Sequence, residues 1–389
     1  MKRLVVITTH PIQYNSPLFA MLSKRGKIEI KVFYTWGAAV EENKYDPGFG
    51  KIIKWDLPLL EGYENSFVEN TAIDPGSHHF KGIVNPSLIK DIESWKADAI
   101  LVFGWAFHSH LKCLRYFKGK IPVLFRGDST LLDEHRGIRQ LFRRFFLKWV
   151  YAHVDRALFV GDNNQQYFIA HGLKSAQLVH APHATDNERF AEPNDLYETQ
   201  ALSIRQSLGV AETDLLLLFA GKFEAKKNPL YLLQLLTAIP DKRLKILFVG
   251  SGVLLPQLQA AAEKDKRILL MDFQNQQAMP VIYRITDLFI LPSAGPGETW
   301  GLALNEAMAS GRAIVASNKV GGTADLIDPA INGLVIDPTN HNDFITFIES
   351  SLNDKTRLKE MGRQSSKKIQ SFTFNHIAQV IEETVMEKA

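Results

Sequence analysis

Residues 292–317 read PSAGPGETWGLALNEAMASGRAIVAS. A loop of Pro, Gly and Ser runs into an apolar helix, which the pattern carries to about Ser310 and ends at Gly311, a good C-terminal cap. One apolar run, DLFILPS, stands before the loop and another, RAIVAS, follows the helix. Strand, loop, helix and strand in that order form the repeat of a parallel sheet with helical crossovers. The alternation extends both ways along the chain. The second half carries DLLLLFAGKF, LKILFVGSG, RILLMDF, DLFILPS, RAIVAS and GLVIDP. The first half carries RLVVITTH, IEIKVFYTW, DAILVFGW, IPVLFRGDS and RALFVGDN, less regularly spaced. Continuous apolar runs suit strands buried on both faces. The expected fold is α/β, built on doubly wound sheets.

A chain of 389 residues fits two domains. The polar, Pro-containing stretch DNERFAEPNDLYETQ, residues 186–200, reads as the junction, which gives domains of 1–200 and 201–371. From Phe372 onward the pattern is helical, with Ile377, Val380 and Ile381 on one face. Open parallel sheets bind ligands beyond the carboxyl ends of their strands. The loops after those ends are therefore where chemistry is sought, and two such domains facing each other would frame a central cleft.

Net charge is +3, too small to point to nucleic acid. It is unevenly placed. Between Lys112 and Lys148 ten Lys or Arg stand against three Asp or Glu, a local +7, whereas from residue 201 onward the count is 20 against 20. The single cysteine, Cys113, permits no intrachain disulfide and fits a reducing compartment. The opening MKRLVVITTHP reads as a first strand rather than a signal peptide. No apolar run approaches the roughly 20 residues of a membrane span. The expected place is the cytoplasm, with the protein soluble or peripheral at the inner face of the membrane.

Three loops stand out. In FAGKFEAKKNPLYLLQLL a strand ends at Gly221, Lys222, Lys226 and Lys227 crowd the loop, and Asn228 and Pro229 read as N-cap and first helical residue. Lysines beside a helix N-terminus make an anion site; the alternative is three solvated surface lysines. In FVGSGVLLPQL, Gly250 and Gly252 flank Ser251 and let a backbone approach a ligand closely, or simply make a tight turn. In the opening stretch Glu298 falls just before the helix, where the amides of Thr299, Trp300, Gly301 and Leu302 would be free first-turn donors. Glu306 lies inside a helix of Leu, Ala and Met and needs a partner. Two carboxylates can accept hydrogen bonds from the hydroxyl pairs of a sugar or ribose. A helix-dipole partner and a salt bridge are the structural alternatives.

The stretch GPGETWGLALNEAMASG resembles the Glu-x7-Glu motif of retaining glycosyltransferases of family 4, whose GT-B fold pairs two Rossmann-like domains across a central cleft. GKFEAKKNP is similar to that family's Gly-Arg/Lys-x-x-x-x-Lys diphosphate loop, and VGSG, MDFQNQQAMPVIYRITDLFILPS, ASNKVGGTADLI and NGLVIDP follow in the family's order. The resemblance covers residues 215–340. It implies a nucleoside-diphosphate-sugar donor, UDP- or GDP-linked, and transfer of a hexose-type sugar to a glycan, glycolipid or other acceptor hydroxyl. It also implies that the terminal helix crosses back to the first domain. Lys222 and Lys227 would bind the diphosphate, with Lys226 a bystander. Glu298 would hold donor-sugar hydroxyls, helped by the amides of Trp300 and Gly301, and Glu306 the ribose. The Phe273–Gln274 turn would lie against the base, and Gly221, Gly250, Ser251 and Leu302 would be further donor-binding residues. No Asp-x-Asp occurs in the chain, so no metal and no other cofactor is expected.

The first half departs from the family pattern. TTHPIQYNSP stands where many members have a Gly-rich loop, and VLFRGDS puts Arg126 where many have His, with Asp128 two residues later. Arg126, Asp128 and His10 are expected at the cleft, or as a structural ion pair and cleft-lining loop. His78-His79 and His108-Ser109-His110 fit no metal-site spacing, and no Cys or carboxylate set in the sequence completes them. Within RGIRQLFRRFFLKWVYAHV, residues 136–154, Ile138, Leu141, Phe142, Phe145, Phe146 and Trp149 share one helical face, opposite Arg139, Arg143, Arg144 and Lys148. Such a helix packs on its own sheet or lies on anionic lipid. Other classes of function stay open: a non-catalytic nucleotide-sugar-binding protein, a periplasmic-type binding protein, and a GT-B epimerase or phosphorylase.

Overall fold

The computed structural model describes residues 1–37, 45–46, 48–134, 137–191 and 195–387. Its strands are β1 (Arg3–Thr8), β2 (Glu29–Tyr34), β3 (Tyr45–Asp46), β4 (Lys51–Ile52), β5 (Glu64–Phe67), β6 (Ala99–Phe103), β7 (Val123–Arg126), β8 (Arg156–Phe159), β9 (Leu178–His180), β10 (Leu215–Lys222), β11 (Leu244–Ser251), β12 (Ile268–Met271), β13 (Leu288–Leu291), β14 (Ala313–Ser317) and β15 (Gly333–Ile336). Two parallel sheets account for all but β3 and β4, in the orders β5-β2-β1-β6-β7-β8-β9 and β12-β11-β10-β13-β14-β15. In each sheet the chain starts in the middle and winds outward both ways, as in doubly wound folds. Every apolar run read as a strand is one. The interior residues of β1, β6, β10, β11, β13 and β14 are almost wholly removed from water, which is why those runs do not alternate in polarity.

The chain divides into two units, one of residues 1–44, 57–183 and 374–389, the other of 45–56 and 184–373. In the first unit Val5, Ile7, Ile100, Val102, Leu114, Phe125 and Ala157 form a core with helices on the sheet. The terminal helix Phe374–Met386 counts with this unit. Its Glu382 carboxylate, fully buried, takes the Arg25 guanidinium at 2.7 Å and Lys27 at 3.5 Å. In the second unit Leu217, Phe219, Phe248, Ile290, Val315, Phe344 and Met361 form a separate core.

Residues 186–200, read as the junction, lie within the second unit. Apart from Asp186, and from residues 192–194, which lie outside the described residues, they belong to the helices Asn187–Ala191 and Asp195–Ser207. Phe190 is buried against Tyr283, and the Asn187 amide donates to the carbonyls of Ile369 and Phe372, both at 3.0 Å. The polar Asn187 serves the second of these contacts, and the division of the chain falls at His183 and Ala184. The β3-β4 hairpin, quiet in the sequence, belongs to the second unit.

Candidate functional site

The second unit gathers most of the expected residues beyond the carboxyl ends of β10, β11, β12 and β13. Strands β10 and β11 end in register, with Gly221 beside Gly250 and Lys222 beside Ser251. A Cβ on Gly250 would stand 2.0 Å from the Gly221 carbonyl oxygen, so only glycine permits this approach. Lys222 leaves the end of β10 and meets the Asp46 carboxylate at 2.9 Å. Burial works against the charge on Asp46. The Lys222 ammonium and the amides of Phe49 and Gly48 outweigh it and hold the carboxyl below its usual range.

Lys226 and Lys227 sit in the single 3-10 turn Ala225–Lys227. Lys226 is exposed and pairs with Glu224 at 3.4 Å, whereas Lys227 is largely covered and reaches Glu298 at 2.5 Å. Asn228 is not the N-cap that the sequence suggests. It adopts a left-handed conformation, φ 56°, and its side-chain amide donates to the Pro292 carbonyl at 3.2 Å, while the helix starts at Tyr231. Asn tolerates that conformation, and the amide thereby ties the lysine loop to the glutamate loop. A second tie runs from the Ala294 amide to the Lys226 carbonyl at 2.9 Å. These bonds, rather than a helix dipole, set Lys227 against Glu298.

Ser293 donates to the same Glu298 oxygen at 3.2 Å, and Ser317 Oγ donates to the Ser293 carbonyl. The helix that follows is Leu302–Ala309, with Gly301 at φ 91° before it. The amides of Thr299, Trp300 and Gly301 thus lie in the loop, not in the first helical turn. A Cβ on Gly301 would lie 2.8 Å from side-chain carbons of Leu291 and Val320, so this tight left-handed turn fixes where the helix begins. Trp300 is buried and its indole N–H donates to Asn305 at 2.8 Å. The amides of Gly321 and Gly322 donate to the carbonyls of Glu298 and Trp300 at 2.9 Å each.

Glu306 is buried within the helix and accepts a hydrogen bond from Tyr283 at 2.8 Å. Tyr283 lies in MDFQNQQAMPVIYRITDLF, but nothing in that run marks it as the carboxylate's partner. Phe273 and Gln274 follow β12. The Phe273 ring lies 4.9 Å from Phe49 and 6.4 Å from Trp55, and Asp272 takes Lys51 at 2.7 Å. The segment 45–56 therefore borders both Lys222 and the Phe273 turn, which no local pattern revealed.

Arg126, Asp128 and His10 belong to the first unit. Arg126 ends β7, is buried, and donates from its terminal nitrogens to the carbonyls of Ala181 at 2.7 Å and Pro182 at 3.1 Å. Burial lowers its pKa to about 10, and Asp128 opposes the change. Arg126 thus holds the backbone after β9. His183, which the sequence reading passed over, has its Nε2 3.7 Å from Asp128. His10 contacts Thr9 at 2.9 Å and the Trp36 ring edge-on at 5.2 Å.

The histidine pairs part ways. His110 is buried, with ring contacts to Thr35 at 2.8 Å and to the Phe103 and Gly104 carbonyls, and burial pulls its pKa down to about 4. His78 and His79 do meet a carboxylate, contrary to the spacing argument: Asp74 Oδ2 lies 3.5 and 3.3 Å from their Nε2 atoms. The turn at Gly76 brings it there, since a Cβ on Gly76 would touch the His78 ring.

Two parallel-sheet α/β units in series are the fold of the GT-B glycosyltransferases. The crystal structure of Anabaena HepE in complex with UDP and glucose matches over 100% of both chains, with a TM-score of 0.71 and 16% identity. A glycosyltransferase from Rickettsia africae matches 100% of this chain and 99% of its own with a TM-score of 0.75 and 14% identity. Residues 201–368 match the family described as glycosyl transferases group 1. The lipopolysaccharide 1,2-N-acetylglucosaminetransferase of Salmonella typhimurium is 29% identical over 335 residues, 82% of this chain and 80% of that enzyme. The D-inositol 3-phosphate glycosyltransferase of Nocardia farcinica is 26% identical over 245 residues, 60% of this chain. The chain spans about half the length of the latter, 52%.

Proposed function

We propose that the protein is a retaining glycosyltransferase of family 4, carrying the Glu-x7-Glu pair Glu298 and Glu306. It moves a hexose-type sugar from a UDP- or GDP-sugar to a hydroxyl of a glycan, glycolipid or other acceptor, without a metal, at the cytoplasmic face of the membrane. The domains in this reading are an acceptor-side unit and a nucleotide-sugar unit, with the terminal helix returning to the first.

The observation that carries the reading is the pairing of Lys227 with Glu298 beyond one sheet's carboxyl edge, with Lys222 held by Asp46 on a neighbouring strand end. Both lysines stand neutralised by carboxylates, so a diphosphate has two ammonium groups to claim on entry. Breaking the sugar–phosphate bond develops negative charge on the departing diphosphate. Lys222 and Lys227, drawn from Asp46 and Glu298 to the bound diphosphate, stabilise that charge. Glu298, once its lysine turns to phosphate, is left to accept from the donor sugar's hydroxyls. The acceptor oxygen bonds to the anomeric carbon on the face from which the diphosphate leaves and gives its proton to the departing phosphate oxygen, so that configuration is retained without an enzyme nucleophile.

Donor turnover measured for single lysine variants tests this. Lys227→Ala should lower turnover roughly a hundredfold, the scale of losing one preorganised donor, and Lys226→Ala, which removes only an exposed pair with Glu224, should leave it within about twofold. Equal rates for wild type and Lys227→Ala would refute the diphosphate role.

A further inference from the structure

The helix Ile138–Tyr151 faces the opposite way from a helix that packs on its sheet through its main apolar stripe. Its contact with the first unit's core runs through Leu147, Val150 and Tyr151. The six apolar residues that share the other face are open to solvent: Ile138 72%, Leu141 54%, Phe142 69%, Phe145 64%, Phe146 43% and Trp149 43% exposed. At about 100° per residue this stripe points away from the body of the unit. Soluble monomers rarely leave so many large side chains together in water.

The surroundings say what covers them. Arg139 and Lys148 flank the stripe. Across a groove of about 540 Å³, walled by Phe80, Leu111, Phe146 and Trp149, stand Lys112 and Arg115. The Arg115 guanidinium lies 5.4 Å over the Trp149 ring. None of these four cations has a carboxylate at ion-pair distance among the described residues. Arg143 and Arg144 differ: they turn toward the body and pair with the shielded Glu134 at 3.3 and 3.5 Å. An apolar stripe bordered by unpaired cations matches an anionic phospholipid surface, with acyl chains against the aromatic rings and phosphates against Arg and Lys.

We propose that this face docks on an anionic bilayer, the helix lying in the plane of the interface, with Arg139, Lys148, Lys112 and Arg115 holding the headgroups. The assignment is independent of the transferase reading, because it uses no residue of the donor site.

Co-sedimentation of the full chain with vesicles tests it. Wild type should bind vesicles containing phosphatidylglycerol and not phosphatidylcholine alone, and raising salt should weaken binding. Phe142→Ser with Phe145→Ser should abolish it. Arg139→Ser with Lys148→Ser should weaken it about thirtyfold. Arg143→Ser with Arg144→Ser should weaken it less. Binding of a nucleoside diphosphate to each variant, unchanged from wild type, shows that the fold and the donor site survive. Failure of wild type to bind the anionic vesicles, equal binding to both vesicle types, or a wild-type dimer in light scattering that Phe142→Ser with Phe145→Ser dissolves would each overturn the proposal. The last would assign the face to a second copy.

Discussion

At the scale of the residue, the two glutamates of the opening stretch occupy different worlds. Glu298 shares its oxygen between Lys227 and Ser293, while Glu306 is buried against Tyr283. In the proposed reading Glu306 holds the ribose, present in donor and product alike, so Glu306→Gln should weaken nucleoside diphosphate binding about tenfold, the worth of a charged hydrogen bond. Glu298 competes with the diphosphate for Lys227. Glu298→Gln should therefore leave diphosphate affinity equal or tighten it by up to about fivefold, as loss of a roughly 1 kcal/mol partner predicts, while turnover falls. Calorimetric titration of the diphosphate beside steady-state rates checks both, and the reverse pattern would exchange the two roles. Both glutamates and both lysines were legible in the sequence, because a short loop or one helix carries each. Asp46, Tyr283 and His183 were not, because their partners arrive from distant segments.

At the scale of the element, the sequence placed the strands and the helix end at Gly311, left-handed at φ 72°, but not the cap at Asn228. Buried parallel strands announce themselves through unbroken apolar runs; β5, β9 and the β3-β4 hairpin are short or half-exposed and do not. Asn228 reads as a cap by residue type, yet tertiary bonds to the Pro292 loop decide its conformation. The terminal helix gives an element-scale prediction. Its Glu382 has no exposure of its own, and replacing it with Gln leaves Arg25 without its charge partner. The first unit should lose about 2–3 kcal/mol in denaturant unfolding. The pH dependence has a definite sign. Burial opposes the charge on Glu382, but Arg25 and then Lys27 outweigh it and hold its pKa below the ordinary 4.5. Its contribution is complete above 4.5 and is lost as pH falls through the lower folded value. Wild type should therefore destabilise on acidification more steeply than Glu382→Gln. Parallel acid limbs for the two would show that the pair contributes nothing.

At the scale of the whole molecule, two cores rather than one carry the chain, and no helix among the described residues is long and apolar enough to cross a membrane. A ligand of the native state stabilises it by mass action. The matching nucleoside diphosphate at 100 times its dissociation constant should add about 2.7 kcal/mol, read as a thermal shift. In the metal-independent reading a chelator leaves that shift and the turnover unchanged, and loss of either on chelation would reject it. The sequence by itself determined the α/β class, the winding of both sheets and the loops that hold Lys222, Lys227, Glu298 and Glu306. Strand burial and loop position repeat locally along the chain, so a linear reading recovers them. Only the tertiary structure decided which carboxylate neutralises which lysine, that Arg126 holds backbone, that residues 187–191 and 195–200 are helical, and that the aromatic stripe of Ile138–Tyr151 turns outward. Periodicity shows that a helix has an apolar face. Which face meets the core depends on side chains from other elements, and in this helix Leu147, Val150 and Tyr151 claim that place.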